Sequence, residues 1–194
     1  MTRLGIFGGS FDPPHRGHLR VAQSALLQLE LDRLLWIPAF HSPFKSLSDT
    51  TNTSDRKEMV RLMTLEDPKF ELDLRELHRK GPSYTVDTLE SLRQEEPDAE
   101  LYLILGGDSL AELSTWKRAD RIREICQVVA YQRLNDSHEV LLDAALCDRV
   151  LSGDPIELSS SAIRDAVSKK FPIDRMVTGA VAKYIEARGL YLQI

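Results

Sequence analysis

The run Leu101-Tyr102-Leu103-Ile104-Leu105, stopped by Gly106-Gly107, constrains the fold more than any other feature of the sequence. An unbroken run of large apolar residues belongs to a strand covered on both faces, and such strands sit inside parallel sheets with helices above and below. The flanking sequence supplies the helices and further strands. Segment 4–7 predicts a first strand, and 34–37 a second, stopped by Pro38. Between them Leu19, Ala22, Leu26 and Leu29 recur at three- and four-residue steps and predict a helix over 17–29.

The alternation then repeats. Ser54 can cap a helix over 54–66, 70–72 reads as a strand, and Thr85 can cap a helix over 85–93. Helical segments at 110–113 and 119–125 lead to candidate strands at 128–130 and 149–151. This pattern predicts the α/β class, a Rossmann-like doubly wound parallel sheet. Helices at 160–168 and 174–188, the second ended by Gly189, predict a C-terminal helical cap. With 42% hydrophobic residues in 194, the chain can bury one proper core. A single domain over 1–194 follows, with a core over 1–155 and a helical part over 156–194. The polar stretch 46–53 is a candidate mobile loop.

A net charge of -5 argues against a chain built mainly to bind duplex nucleic acid, which needs a concentrated basic footprint. No stretch approaches the roughly 20 apolar residues that span a bilayer, and 1–7 lacks the apolar region of a secretory signal. Cys126 and Cys147 have no CxxC spacing and sit in apolar runs, so buried thiols are expected rather than a disulfide or a zinc pair. A cytoplasmic location, without membrane or nucleic-acid partners, is the expectation.

In an open α/β sheet ligands bind beyond the carboxyl ends of the strands. The residues after the first strand are Gly8-Gly9-Ser10-Phe11-Asp12-Pro13-Pro14-His15-Arg16-Gly17-His18. Gly8 and Gly9 let the backbone approach a ligand, and the helix start behind them offers unpaired N–H groups suited to phosphate. His15 and His18, three apart, project to one face and can bracket a phosphate. A structural histidine pair, a metal pair and a redox dinucleotide loop are the competing readings. A metal pair lacks the third and fourth ligands that zinc needs. The redox loop lacks GxGxxG spacing, although Glu30 or Asp32 lies about where a ribose-binding acid would follow. GxxxxGK[ST], GxSxG and HExxH are absent from the sequence.

The string Gly-Ser-Phe-Asp-Pro-Pro-His-x-Gly-His resembles the signature of the HxGH nucleotidyltransferases, which transfer a nucleotidyl group from ATP or CTP and release pyrophosphate. That resemblance implies that Gly8, Gly9, Ser10 and Phe11 line the ATP site, and that His15 and His18 contact the triphosphate. The family's second marker, ISSTxIR, is similar to Leu158-Ser159-Ser160-Ser161-Ala162-Ile163-Arg164, with Leu158 and Ser161 replacing Ile and Thr. Serines ahead of a helix can cap it and bind an anion, and Arg164 adds a fixed fork of donors, so Ser159, Ser160, Ser161, Ile163 and Arg164 join the ATP set. His15, His18 and Arg164 are the candidate catalytic residues.

Three further segments resemble the nicotinate-nucleotide branch of that family. They are Trp36-Ile37-Pro38-Ala39 with Pro43-x-Lys45, Gly81-Pro82-Ser83-Tyr84-Thr85-Val86-Asp87-Thr88-Leu89, and Leu103 through Leu110 followed by Trp116. The resemblance implies transfer of the adenylyl group of ATP to nicotinate mononucleotide. It further implies that Ser83, Tyr84 and Thr85 meet the pyridine carboxylate through backbone N–H groups, that Trp116 stacks on the ring, and that Lys45 steers the phosphate. Asp108, beside Gly106 at the end of the strongest strand, is placed for ribose hydroxyls. Magnesium would arrive on ATP, since the sequence holds no dedicated carboxylate cage. The chain departs from the family at Tyr131-Gln132-Arg133-Leu134-Asn135, where Arg-Pro-Gly is expected. Rival functions are adenylyl or cytidylyl transfer to nicotinamide mononucleotide or phosphopantetheine, a non-catalytic nucleotide sensor, and a redox dinucleotide enzyme.

Overall fold

The computed structural model describes residues 1–40, 51–79, 81–133 and 143–192. Six parallel strands, β1 (Arg3–Gly9), β2 (Arg33–Pro38), β3 (Phe70–Leu72), β4 (Glu100–Gly106), β5 (Gln127–Arg133) and β6 (Arg149–Ile156), form one sheet in the order β3-β2-β1-β4-β5-β6. The order reverses between β1 and β4, and that junction is the switch point where an α/β sheet opens a crevice. Along the strands side chains alternate between two cores. Leu34, Trp36, Tyr102 and Ile104 enter one, while Leu4, Ile6, Leu35, Ile37, Leu101, Leu103 and Leu105 enter the other. Both faces of the Leu101–Leu105 run are thus covered, which is why it carries no polar alternation.

The first core packs under α1 (Arg16–Gln28), α2 (Thr53–Thr64), α7 (Ser160–Ser168) and α8 (Gly179–Arg188). The second packs under α4 (Thr85–Glu95), α5 (Gly107–Glu112) and α6 (Ala119–Ile125), with the short α3 (Arg75–His78) leading into α4. The C-terminal helices cap the sheet by sharing the first core with α1 and α2. Ile163, Val181 and Ile185 are buried among residues of β1, β2 and α2.

Three helix starts differ from their sequence expectation. Asn52, not Ser54, caps α2 by accepting from the Ser54 N–H at 2.6 Å. Tyr84 holds the cap position of α4, so Thr85 is its first helical residue. The last helix begins at Gly179 behind Thr178, whose hydroxyl accepts from the Val181 N–H; 174–176 form a turn instead. At α2 and α8 a better side-chain acceptor, Asn52 or Thr178, outranked the local pattern. Gly189 ends α8 in the left-handed region at φ 59°, as expected. Cys126 is buried, and burial pushes its thiol up to about 12. Cys147 is only half-buried, because it sits at the short turn ahead of the edge strand β6. No helix among the described residues is long and apolar enough to cross a membrane.

Candidate active site

β1 delivers its carboxyl end, Gly8-Gly9-Ser10, to the switch point. The two glycines serve different ends. A Cβ at Gly8 would meet nothing nearer than the Ile37 carbonyl at 4.0 Å, so its bareness keeps the crevice floor open. A Cβ at Gly9 would stand 3.1 Å from the Phe11 ring, so Gly9 lets Phe11 fold back underneath. Phe11, at φ 48°, is buried edge-on against Phe7 at 5.5 Å and against His18 at 5.1 Å. It supports the loop from below.

His15 and His18 do more than bracket a group. His15 is the cap residue of α1, and the pair forms a reciprocal box: His15 Nδ1 accepts from the His18 N–H at 3.3 Å, and His18 Nδ1 accepts from the His15 N–H at 3.1 Å. The rings stack at 3.7 Å between centroids. With both Nδ1 atoms acting as acceptors, each neutral ring carries its proton on Nε2. The helix start is also less open than the sequence implied. The Arg16 N–H goes to the Met176 carbonyl at 2.9 Å and the His18 N–H to His15, so backbone donors there are largely spent. Side-chain Nε2 donors take their place.

The second marker reaches the same loop from the other end of the chain. Ser159 caps α7, accepting from the Ala162 N–H at 3.2 Å, while the Ser160 hydroxyl donates to the Pro13 carbonyl at 2.8 Å. One arm of Arg164 donates to the Asp12 carbonyl at 2.9 Å and another to the Ser161 hydroxyl at 3.3 Å. Ser160 and Arg164 thus tie α7 to the Asp12-Pro13 segment. Ile163 is fully buried, and its side chain anchors α7 in the core. The result is a cavity of about 330 Å³ lined by Gly8, Gly9, Ser10, Phe11, His15, His18, Gly106, Asp108, Ser159, Ser160, Ser161 and Arg164, with Tyr131 at its side. Of the expected ATP set, Ile163 alone does not line it.

A second cavity, of about 540 Å³, opens on the other side of β1 and is lined by Ser83, Tyr84, Thr85 and Trp116. It shares Gly8, Gly9, Ser10 and Ser109 with the first. The two chambers meet at the end of one strand. No side chain caps α4, whose first turn with its partial positive charge borders the larger chamber. Asp108 lines the smaller chamber only. Lys45, Leu134 and Asn135, and the stretch 46–50, lie outside the described residues.

Several residues at the site had no signal in the sequence. Lys117 lines the larger chamber, 4.3 Å above the Tyr84 ring and 3.2 Å from Asp87. Glu76 lines it too; it is buried, and burial raises its carboxyl despite hydroxyl donors from Thr88 and Ser83 and the charge of Arg79. Arg56, 1% exposed, donates to the carbonyls of Ser10, Ala39, Phe40 and Thr51 at 2.7 to 3.1 Å. It clasps the ends of β1 and β2 to the start of α2. Asp12, also buried, accepts from the Tyr191 hydroxyl at 2.7 Å and the Thr51 N–H at 2.9 Å. Among the described residues no cluster of three or more His, Cys, Asp or Glu could hold a metal ion.

Known proteins are similar to this chain in sequence and in fold. The cytidylyltransferase-like family model matches residues 6–166. The nicotinate-nucleotide adenylyltransferase of Bacillus subtilis (strain 168) is 37% identical over 191 residues, covering 98% of this chain and 99% of its own. In fold the chain is similar to nicotinic acid mononucleotide adenylyltransferase of Plasmodium falciparum. That enzyme was solved complexed with APC (TM-score 0.79, 18% identity) and with NaAD (TM-score 0.78, 19% identity), each match covering 98% of both chains.

Proposed function

The chain belongs to the cytidylyltransferase-like family and, within it, to the nicotinate-nucleotide adenylyltransferases, and on that premise we propose that its two chambers hold the two substrates of one transfer. It transfers the adenylyl group of ATP to nicotinate mononucleotide, giving nicotinate adenine dinucleotide and pyrophosphate. The observation that carries this reading is the shared wall, Gly8-Gly9-Ser10 with Ser109, at which the two chambers meet. ATP takes the smaller chamber, between the histidine pair and α7. Nicotinate mononucleotide takes the larger, with its pyridine on Trp116 and its carboxylate at the uncapped start of α4. Planar stacking on indole and an anion at a helix N-terminus suit that molecule. A ligand like the NaAD of the Plasmodium enzyme would span both chambers.

In the reaction a phosphate oxygen of nicotinate mononucleotide attacks the α-phosphorus of ATP in line. The new P–O bond forms as the bond to the β-phosphate oxygen breaks, and pyrophosphate leaves with that electron pair. The attacking phosphate is already mostly ionised at neutral pH, since its second pKa is about 6, so no general base is required. The protein's work is to position and to stabilise charge. His18 Nε2–H serves the pentavalent phosphorus, and His15 Nε2–H and Arg164 serve the phosphates that leave. Magnesium arriving on ATP would neutralise phosphate charge beside the histidine pair and Arg164. The absence of a membrane-crossing helix among the described residues, together with free cysteines, supports work in a reducing cytoplasm.

The test offers ATP with nicotinate mononucleotide, nicotinamide mononucleotide and phosphopantetheine, and follows pyrophosphate release. The largest kcat/KM belongs to nicotinate mononucleotide, since the amide brings its own donors to N–H groups that need an acceptor. A preference for phosphopantetheine overturns the acceptor assignment.

A further inference from the structure

Helix α4 enters the larger chamber with no side-chain cap, yet its start is held firmly. The grip comes from a different helix. Glu76, on α3, accepts a hydrogen bond from the Thr88 hydroxyl at 2.7 Å and another from the Ser83 hydroxyl. Ser83 stands just before the cap residue Tyr84, and Thr88 is the fourth residue of the helix. These are the two positions that an apolar pair often bridges to fix the angle at which a chain enters a helix. Here a buried carboxylate bridges them.

The bonds run in one direction. The Phe40 N–H donates to Ser83 Oγ at 3.0 Å, so the Ser83 proton is left for Glu76. Arg79 Nη2 donates to Thr88 Oγ1 at 3.1 Å, so the Thr88 proton also turns to Glu76. Both hydroxyl hydrogens of this relay end on one carboxylate, which joins Phe40 just past β2, the 81–84 connection, α3 and α4 around the chamber. The relay encloses the first turn of α4, where the N–H groups of Thr85 and Val86 stand ahead of any intrahelical bond.

We propose that Glu76 is the positioning residue of the acceptor chamber, bridging Ser83 and Thr88 so that the uncapped start of α4 meets the carboxylate of the acceptor. This rests on the reading of the larger chamber as the nicotinate mononucleotide site. Glu76 acts through the helix start and is no part of the ATP chamber.

The test compares the intact protein with its Glu76→Ala, Glu76→Gln and Thr88→Val variants in steady-state assays with ATP, nicotinate mononucleotide and nicotinamide mononucleotide. In Glu76→Ala the KM for nicotinate mononucleotide rises about 10-fold or more, the preference over nicotinamide mononucleotide shrinks, and the KM for ATP stays within about twofold. Gln retains an acceptor oxygen and restores the KM for nicotinate mononucleotide to near the wild-type value. Thr88→Val, close to isosteric, gives a smaller rise in the same KM and supplies the result should Glu76→Ala fail to fold. An unchanged acceptor KM in both Glu76→Ala and Thr88→Val overturns the proposal. So does a parallel rise in the ATP KM, which would mark a general loss of structure. The wild-type rate with nicotinate mononucleotide tests the function separately: a wild type that turns it over while the variants keep its KM sinks only the role of Glu76.

Discussion

At His18 one ring meets three demands. Its Nδ1 accepts from the His15 N–H, its face stacks on His15, and its edge meets Phe11. These contacts fix the ring before any ligand arrives and put its proton on Nε2, which is the preorganisation that charge stabilisation requires. His18→Ala should therefore lower kcat about 10² to 10³-fold, with a much smaller effect on the KM for ATP. Pyrophosphate release at near the normal rate would remove His18 from the transition state. Sequence spacing was enough to place both histidines on one face. It did not reveal that each caps the other, because a histidine acting as a helix cap has no distinctive sequence neighbour.

Among the elements, those with a periodic apolar face were the legible ones. β4, α6 and α7 were readable nearly to the residue, since alternating cores and helical stripes leave a direct imprint on sequence. Helix starts were less so, because a cap depends on which of several polar residues the backbone presents, as at Asn52 and Tyr84. Least legible were clasps between elements. Arg56 looks like any charged residue on a polar helix, yet it is buried and satisfies carbonyls from the ends of β1 and β2. Its charge is carried inside the protein at a desolvation cost that lowers its affinity for the proton. Arg56→Ala leaves those carbonyls without their donor and should cost about 3 kcal/mol or more. For a chain of this size that is a fall in Tm of about 6 to 12 °C in thermal denaturation. A Tm within about 1 °C of wild type would show that water replaces the guanidinium without loss.

Across the whole molecule, the smaller chamber, proposed for ATP, is assembled from the two ends of the sequence. Arg16 reaches the Val177 carbonyl at 3.0 Å, Ser160 and Arg164 reach Pro13 and Asp12, and Tyr191 reaches the buried Asp12 carboxylate. The sequence predicts a C-terminal helical cap, and it places Ser159 to Arg164 with the ATP site. The structure joins these two readings, since the helices that complete the core are the ones that hold the site's loop. Tyr191→Phe removes the hydroxyl from a buried carboxylate and should cost about 1.5 to 3 kcal/mol. Tm should fall accordingly, and the KM for ATP should rise more than that for nicotinate mononucleotide, because the Asp12 carbonyl holds Arg164, which lines the smaller chamber and not the larger. Equal changes in both would place the effect in global stability.

The bond between Asp12 and Tyr191 spans 179 residues, and this separation has a meaning in time as well as in space. A chain emerging from the ribosome at about 5 to 20 residues per second exposes Asp12 roughly 10 to 40 seconds before Tyr191 exists to donate to it. Through that interval the glycine loop has its carboxylate and no lid for it, so the nascent protein can build β1, α1 and β2 but cannot close the ATP chamber. Catalytic competence thus arrives with the last stretch of the described chain, and damage there will show first as a loss of newly made active enzyme.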